Sequence, residues 1–165
     1  MLCTLYLRIL IAEDYKDLAD SYKEGLEARN HEVVITKDGI GCLQAYNDNF
    51  KQNTEKEEVN PHFDLVILDQ QMPGMDGIDT AKEIQKINQK QRIIFITGHG
   101  SDVVKKLMEL NETVEVMNKP FTLQALIRQV EGWPTYMWRE KTKQGFRKWD
   151  GYTGTSVPVG PSRTG

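Results

Sequence analysis

The chain is poor in cysteine, and none of its apolar runs is long. Two cysteines, Cys3 and Cys42, occur among 165 residues, with no C-x-x-C pair and no metal-ligand spacing. That argues against a disulfide scaffold and for free, buried thiols in a reducing compartment, so a cytoplasmic location is expected. No window approaches the roughly 18 consecutive apolar residues that a membrane helix needs. The apolar opening, MLCTLYLRILIAEDYKD, has no basic leader and no small-residue cleavage site. It reads as a first strand and not as a signal peptide. No internal repeat is present. Neither sign of charge dominates, the net being −3, and 39% hydrophobic residues suit one globular domain with some remainder.

The charge is unevenly spread. Residues 133–165 carry six basic residues (Arg139, Lys141, Lys143, Arg147, Lys148, Arg163) against Glu140 and Asp150. An acidic domain over residues 1–132 with a basic appendage over 133–165 is the organisation this implies.

What the chain does have is alternation. Short aliphatic runs at Leu7–Ala12, Val33–Ile35, Leu65–Leu68, Ile93–Ile96 and Val114–Met117 read as strands covered on both faces. Helical spacing lies between them: Leu18, Tyr22 and Leu26; Ile78, Ala81, Ile84 and Ile87; Val103, Leu107 and Leu110; Leu123, Leu126, Ile127 and Val130. A weaker helix covers residues 40–50. The charged stretch KQNTEKEEVNPH reads as a solvated loop or an extra turn of that helix. Five strand–helix alternations predict an α/β fold, a doubly wound five-stranded parallel sheet with helices on both faces. In such sheets the ligand site lies at the carboxyl ends of the strands.

Those ends collect reactive groups. Glu13 and Asp14 follow the first strand, Asp69 the third, Thr97 and Gly98 the fourth, and Lys119 the fifth. Each has a plain structural explanation alone: Asp14 as a helix cap, Thr97 as the end of a strand, Lys119 as a solvated amine. Together they suit one kind of chemistry. Clustered carboxylates need a cation, and an all-oxygen shell suits Mg²⁺. A carboxylate can also take a phosphoryl group, and that transfer needs positive charge on the equatorial oxygens. Lys119 supplies such charge, the Thr97 hydroxyl a hydrogen bond, and Gly98 leaves room for the group or an attacking water.

RILIAED, FDLVILDQQMPGMDG, IIFITGHG and VMNKPF, in this order and spacing, resemble the receiver domain of two-component response regulators, most closely its stand-alone, chemotaxis-regulator-like members. The similarity covers about residues 6–132. It implies a flavodoxin-like sheet of order 2-1-3-4-5, with Asp69 accepting a phosphoryl group from a histidine kinase or a phosphotransfer protein. It implies Mg²⁺ bound by Asp14, Asp69 and the main-chain carbonyl of Gln71, with Glu13 acting through water. Thr97 would be the switch hydroxyl, Lys119 the partner of Asp69 or of its phosphoryl group, and Lys119–Pro120 a cis bond. The chain would signal through phosphorylation-dependent contact with a downstream protein, as a monomer or a phosphorylation-dependent dimer. It would be no enzyme beyond promoting its own phosphorylation and dephosphorylation.

Two positions depart from the family pattern or extend it. Val116 stands where many members carry Tyr or Phe, so the usual aromatic gate cannot operate in its standard form. The output face, made of the fourth helix, fifth strand and fifth helix, would then need a different readout. His99 reads first as an exposed loop residue; its sharper role would be to contact the water that hydrolyses the acyl phosphate.

The segment from Trp133 holds all three tryptophans among basic residues, and from Gly151 onward Gly, Ser, Thr and Pro dominate, a composition expected to be disordered. It is too short for a folded output domain. Docking on the protein itself or on an acidic partner ranks first for residues 133–150, ahead of a solvated extension and of nucleic-acid binding. A nucleic-acid-binding regulator using this tail is therefore the main rival reading, and a metal-dependent phosphohydrolase the third.

Overall fold

The computed structural model describes residues 5–54, 63–98 and 114–141, with residues 50, 52–54 and 133–141 described by their backbone alone. Strands β1 (Arg8–Ala12), β2 (Glu32–Thr36), β3 (Leu65–Asp69), β4 (Ile93–Thr97) and β5 (Val114–Asn118) form one sheet of order β2-β1-β3-β4-β5. Every pairing is parallel, with Ile9 beside Val33 and Leu65, Val66 beside Ile93, and Ile93 beside Val114. The order and the doubly wound, flavodoxin-like architecture expected from the sequence are both present.

The apolar runs look continuous, yet each divides between two cores. Leu10, Ala12, Val66, Leu68, Ile93 and Phe95 pack in one cluster, while Ile9, Ile11, Leu65, Ile67, Ile94 and Ile96 pack in the other. Successive side chains point to opposite faces, so a strand buried on both sides must be apolar at every position. All five residues of β3 and of β4 are buried. Helices α2 (Gly39–Thr54) and α3 (Gly77–Ile87) cover the first face through Cys42, Tyr46, Ile78, Ala81 and Ile84. Helix α1 (Lys16–Glu27) and helix α4 (Leu123–Lys141) cover the second through Tyr22, Leu26, Leu126, Ile127 and Val130. Each fully buried Ile or Leu contributes about 1.5–3 kcal/mol, so these two layers supply the main driving force for folding.

Residues 51–54 extend α2 by another turn. The expected helix through Val103, Leu107 and Leu110, with His99, falls outside the described residues. Helix α4 runs past the expected boundary at residue 132 and on to Lys141. Cys42 is buried and free, and burial pushes its thiol up to about 12, which suits an inert core residue; Cys3 falls outside the described residues. No described helix is long and apolar enough to cross a membrane.

Candidate functional site

The sheet delivers its polar strand ends to one edge. Glu13 follows β1, Asp69 closes β3, and Lys119 follows β5. One carboxylate oxygen from each of Glu13, Asp14 and Asp69 lies within 4.8 Å of the others. Glu13 and Asp69 are buried, and Asp14 is exposed. The Lys119 ammonium donates to Asp69 Oδ2 at 3.0 Å and lies 3.8 Å from Glu13 Oε2. The Lys119–Pro120 bond is cis.

Asp14 does not cap a helix. Position 15 is the N-cap of α1, and no side chain caps it. Instead Glu13 Oε1 accepts the Tyr15 amide at 3.1 Å, and Oε2 of Glu13 is buried without a hydrogen-bond partner among the described residues. Burial pushes the Glu13 carboxyl up to about 7, with Asp69 and Asp14 adding to the rise and the Tyr15 amide and Lys119 opposing it. This buried carboxylate oxygen, with the Lys119 ammonium 3.8 Å away and two other acids beside it, lies where a further cation would offset the repulsion among the three carboxylates. Three oxygen-donor side chains open on one side to solvent have the chemistry of a Mg²⁺ site, so the residues present fit the ion.

The turn after Asp69 keeps this edge open. Gly74 takes φ +81°, a conformation that a side chain disfavours. Asp76 then caps α3 by accepting the Asp79 amide at 2.8 Å. Gly77 begins that helix so close to the sheet that a Cβ there would meet the Asp69 carbonyl at 2.4 Å. The Gln71 amide lies 3.4 Å from Asp69 Oδ1, and its side chain is exposed.

Thr97 is fully buried at the end of β4. Its hydroxyl donates to the side-chain oxygen of Gln70, a contact that the sequence reading missed. The signal for it lies in strand register: Asp69 pairs with Ile96, which sets the next residues, 70 and 97, side by side. Strand order alone, without that register, does not reveal the neighbourhood. Val116 is half-buried in β5 and packs on the same core as Leu68 and Phe95.

Comparison with known proteins accounts for this arrangement. The model of the response regulator receiver domain matches residues 9–131. The chain belongs to the response regulator receiver family. It is 33% identical over 143 residues to the transcriptional regulatory protein YrkP of Bacillus subtilis, covering 84% of this chain and 56% of YrkP. It is 30% identical over 124 residues to the receiver protein CpdR of Brucella abortus, covering 75% of this chain and 93% of CpdR. Among solved structures, the response regulator TrrA of Thermotoga maritima, crystallised with Mg²⁺ and BeF, superimposes with a TM-score of 0.61 at 26% identity. That match covers 76% of this chain and 97% of TrrA. The chain thus spans little more than half of YrkP and nearly all of CpdR. The receiver family of two-component systems is the one that the strand-end motifs implied.

Proposed function

We propose that this chain is a phosphorylation-controlled signalling module in which Asp69 accepts a phosphoryl group from a histidine kinase or a phosphotransfer protein. The observation that carries this reading is the pairing of Lys119 with Asp69 at 3.0 Å, beside Glu13 and Asp14, at the open edge of the sheet. Asp69 is held at the end of a fully buried strand, so its carboxylate has little freedom to leave the line of attack. One of its oxygens attacks phosphorus. The P–N bond of the donor phosphohistidine breaks as the P–O bond forms, and the departing imidazole takes up a proton.

Asp14, Asp69 and the Gln71 carbonyl would hold Mg²⁺, with Glu13 acting through water. The ion supplies positive charge to the equatorial phosphoryl oxygens. Lys119 exchanges Asp69 for a phosphoryl oxygen, and Thr97 donates its hydroxyl proton to another. Water attack on the acyl phosphate returns the carboxylate and releases inorganic phosphate, so the chain itself sets the lifetime of the signal.

The match to the receiver protein CpdR, which this chain covers to 93% of its length, supports reading the chain as a receiver that passes on its phosphorylation state. A cytoplasmic setting fits the buried, unpaired Cys42 and a kinase donor. Incubation with acetyl phosphate and Mg²⁺, followed by intact-mass measurement, tests the reading. One phosphoryl adduct is expected, absent in Asp69→Asn. No adduct with acetyl phosphate or phosphoramidate would overturn it.

A further inference from the structure

We propose that Gln70 holds Thr97 in its unphosphorylated position and so sets the threshold of the switch, an inference that rests on Asp69 being the phosphoacceptor. A threonine hydroxyl has one proton. In this structure the Thr97 hydroxyl donates to the Gln70 side-chain oxygen. A phosphoryl group on Asp69, the residue just before Gln70, competes for the same proton.

Gln70 is well placed to compete. Its amide donates to the Ile96 carbonyl at 2.9 Å, and its carbonyl accepts from the Gly77 amide at 3.2 Å. Both bonds fix its main chain between β4 and the start of α3. Thr97 is fixed as firmly, since its own carbonyl accepts the Lys119 amide at 2.8 Å. Two side chains on pinned backbones meet with little loss of freedom, which makes their bond effective as a latch. The half-buried Val116, on the neighbouring strand, offers no polar group of its own to Thr97.

The competition has a defined outcome. A phosphoryl oxygen is charged and accepts a hydrogen bond about twice as strong as a neutral amide oxygen does. Thr97 therefore leaves Gln70 when Asp69 is phosphorylated. Gln70 is itself only half-buried, so its released amide can turn to water at small cost. The latch lowers the fraction of active conformation before phosphorylation and gives way after it. Gln70 is thus a positioning residue that acts through Thr97.

The test is the affinity for beryllofluoride in the presence of Mg²⁺, measured for the full chain and for Gln70→Leu, Thr97→Ala and the double variant. Gln70→Leu is expected to bind about fivefold more tightly than the parent, the size of one net hydrogen bond. In the Thr97→Ala background the same change is expected to have no effect. A structural role for Gln70 would act equally in both backgrounds, and that result would overturn the latch, as would unchanged or weaker binding by Gln70→Leu. Gln70→Asn, one methylene too short to reach Thr97, should reproduce the gain if the leucine variant does not fold. Failure of both to fold would make Gln70 a structural residue and also overturn the proposal. A parent chain that does not bind beryllofluoride, or an Asp69→Asn chain that binds it as well, would instead refute the phosphoacceptor reading.

Discussion

The Arg92 guanidinium donates from Nη1 to the main-chain carbonyl of Val130 at 2.9 Å, four residues ahead of Pro134 in α4. Proline has no amide proton, so Val130 has lost its ordinary helical donor. Arg92 supplies the replacement. It also donates from Nη2 to the Gln129 carbonyl at 2.8 Å and pairs through Nε with Glu115 Oε2 at 2.7 Å. Gln129 closes the network by donating to Glu115 Oε1 at 2.6 Å. A buried ion pair thereby ties the starts of β4 and β5 to the helix at the point where proline would otherwise end it.

Breaking that network should be costly in a way that depends on Pro134. Arg92→Met leaves Glu115 buried without its cation and Val130 without a donor, and is expected to lower stability by about 3 kcal/mol in urea unfolding. Pro134→Ala restores an intrahelical donor to Val130. In that background the Arg92→Met cost should shrink by about 1 kcal/mol, the value of one net hydrogen bond. Equal costs in both backgrounds would show that Arg92 does not compensate for the proline.

The contrast between this network and the site explains what was legible in the sequence. Leu65–Leu68 and Ile93–Ile96 announce strands because burial on both faces demands apolar residues at every position. Glu13, Asp14, Asp69, Thr97 and Lys119 announce a site because each stands at a strand end, where chain order alone brings them to one edge. Glu115 gives no such signal. It sits among apolar residues in VEVMN and looks like a solvent-facing position of an edge strand, yet it is buried against Arg92. Pro134 reads locally as a helix stop, and the group that lets the helix pass it is 42 positions away in the chain. The Gln70–Thr97 contact was hidden for a related reason, since the register between two neighbouring strands does not follow from spacing along the chain.

Gly77 should tolerate no side chain, for a reason tied to the phosphoacceptor. A Cβ there would lie 2.4 Å from the Asp69 carbonyl oxygen and 3.0 Å from the Phe95 ring. The first contact is backbone, so relief requires moving Asp69 itself. Gly77→Ala is expected to cost about 2–3 kcal/mol and to slow phosphoryl uptake from acetyl phosphate. Gly74→Ala is the control: among the described residues nothing lies within 4 Å of its Cβ, and the penalty comes from φ +81°, about 1 kcal/mol. Its uptake rate should stay within twofold of the parent's, a tolerance that reflects the ordinary effect of remote substitutions. Normal uptake by Gly77→Ala would show that the packing of α3 against Asp69 does not position the carboxylate.

Lys119 should affect metal binding and phosphoryl transfer in opposite directions. Its ammonium, 3.0 Å from Asp69 and 3.8 Å from Glu13, already occupies part of the field that those acids create. Replacing it by methionine removes a cation that repels Mg²⁺ and competes for the same carboxylates. Calorimetric titration of Lys119→Met is expected to show Mg²⁺ bound roughly fivefold more tightly, since a charge a few ångströms away at a partly solvated site is worth about 1 kcal/mol. The same variant should take up the phosphoryl group at least about tenfold more slowly at saturating Mg²⁺, because the amine no longer offsets charge gathering on the phosphoryl oxygens. A merely structural lysine would weaken both properties together. Tighter metal binding with slower transfer separates an amine that acts on the reacting group from one that only holds the acids in place.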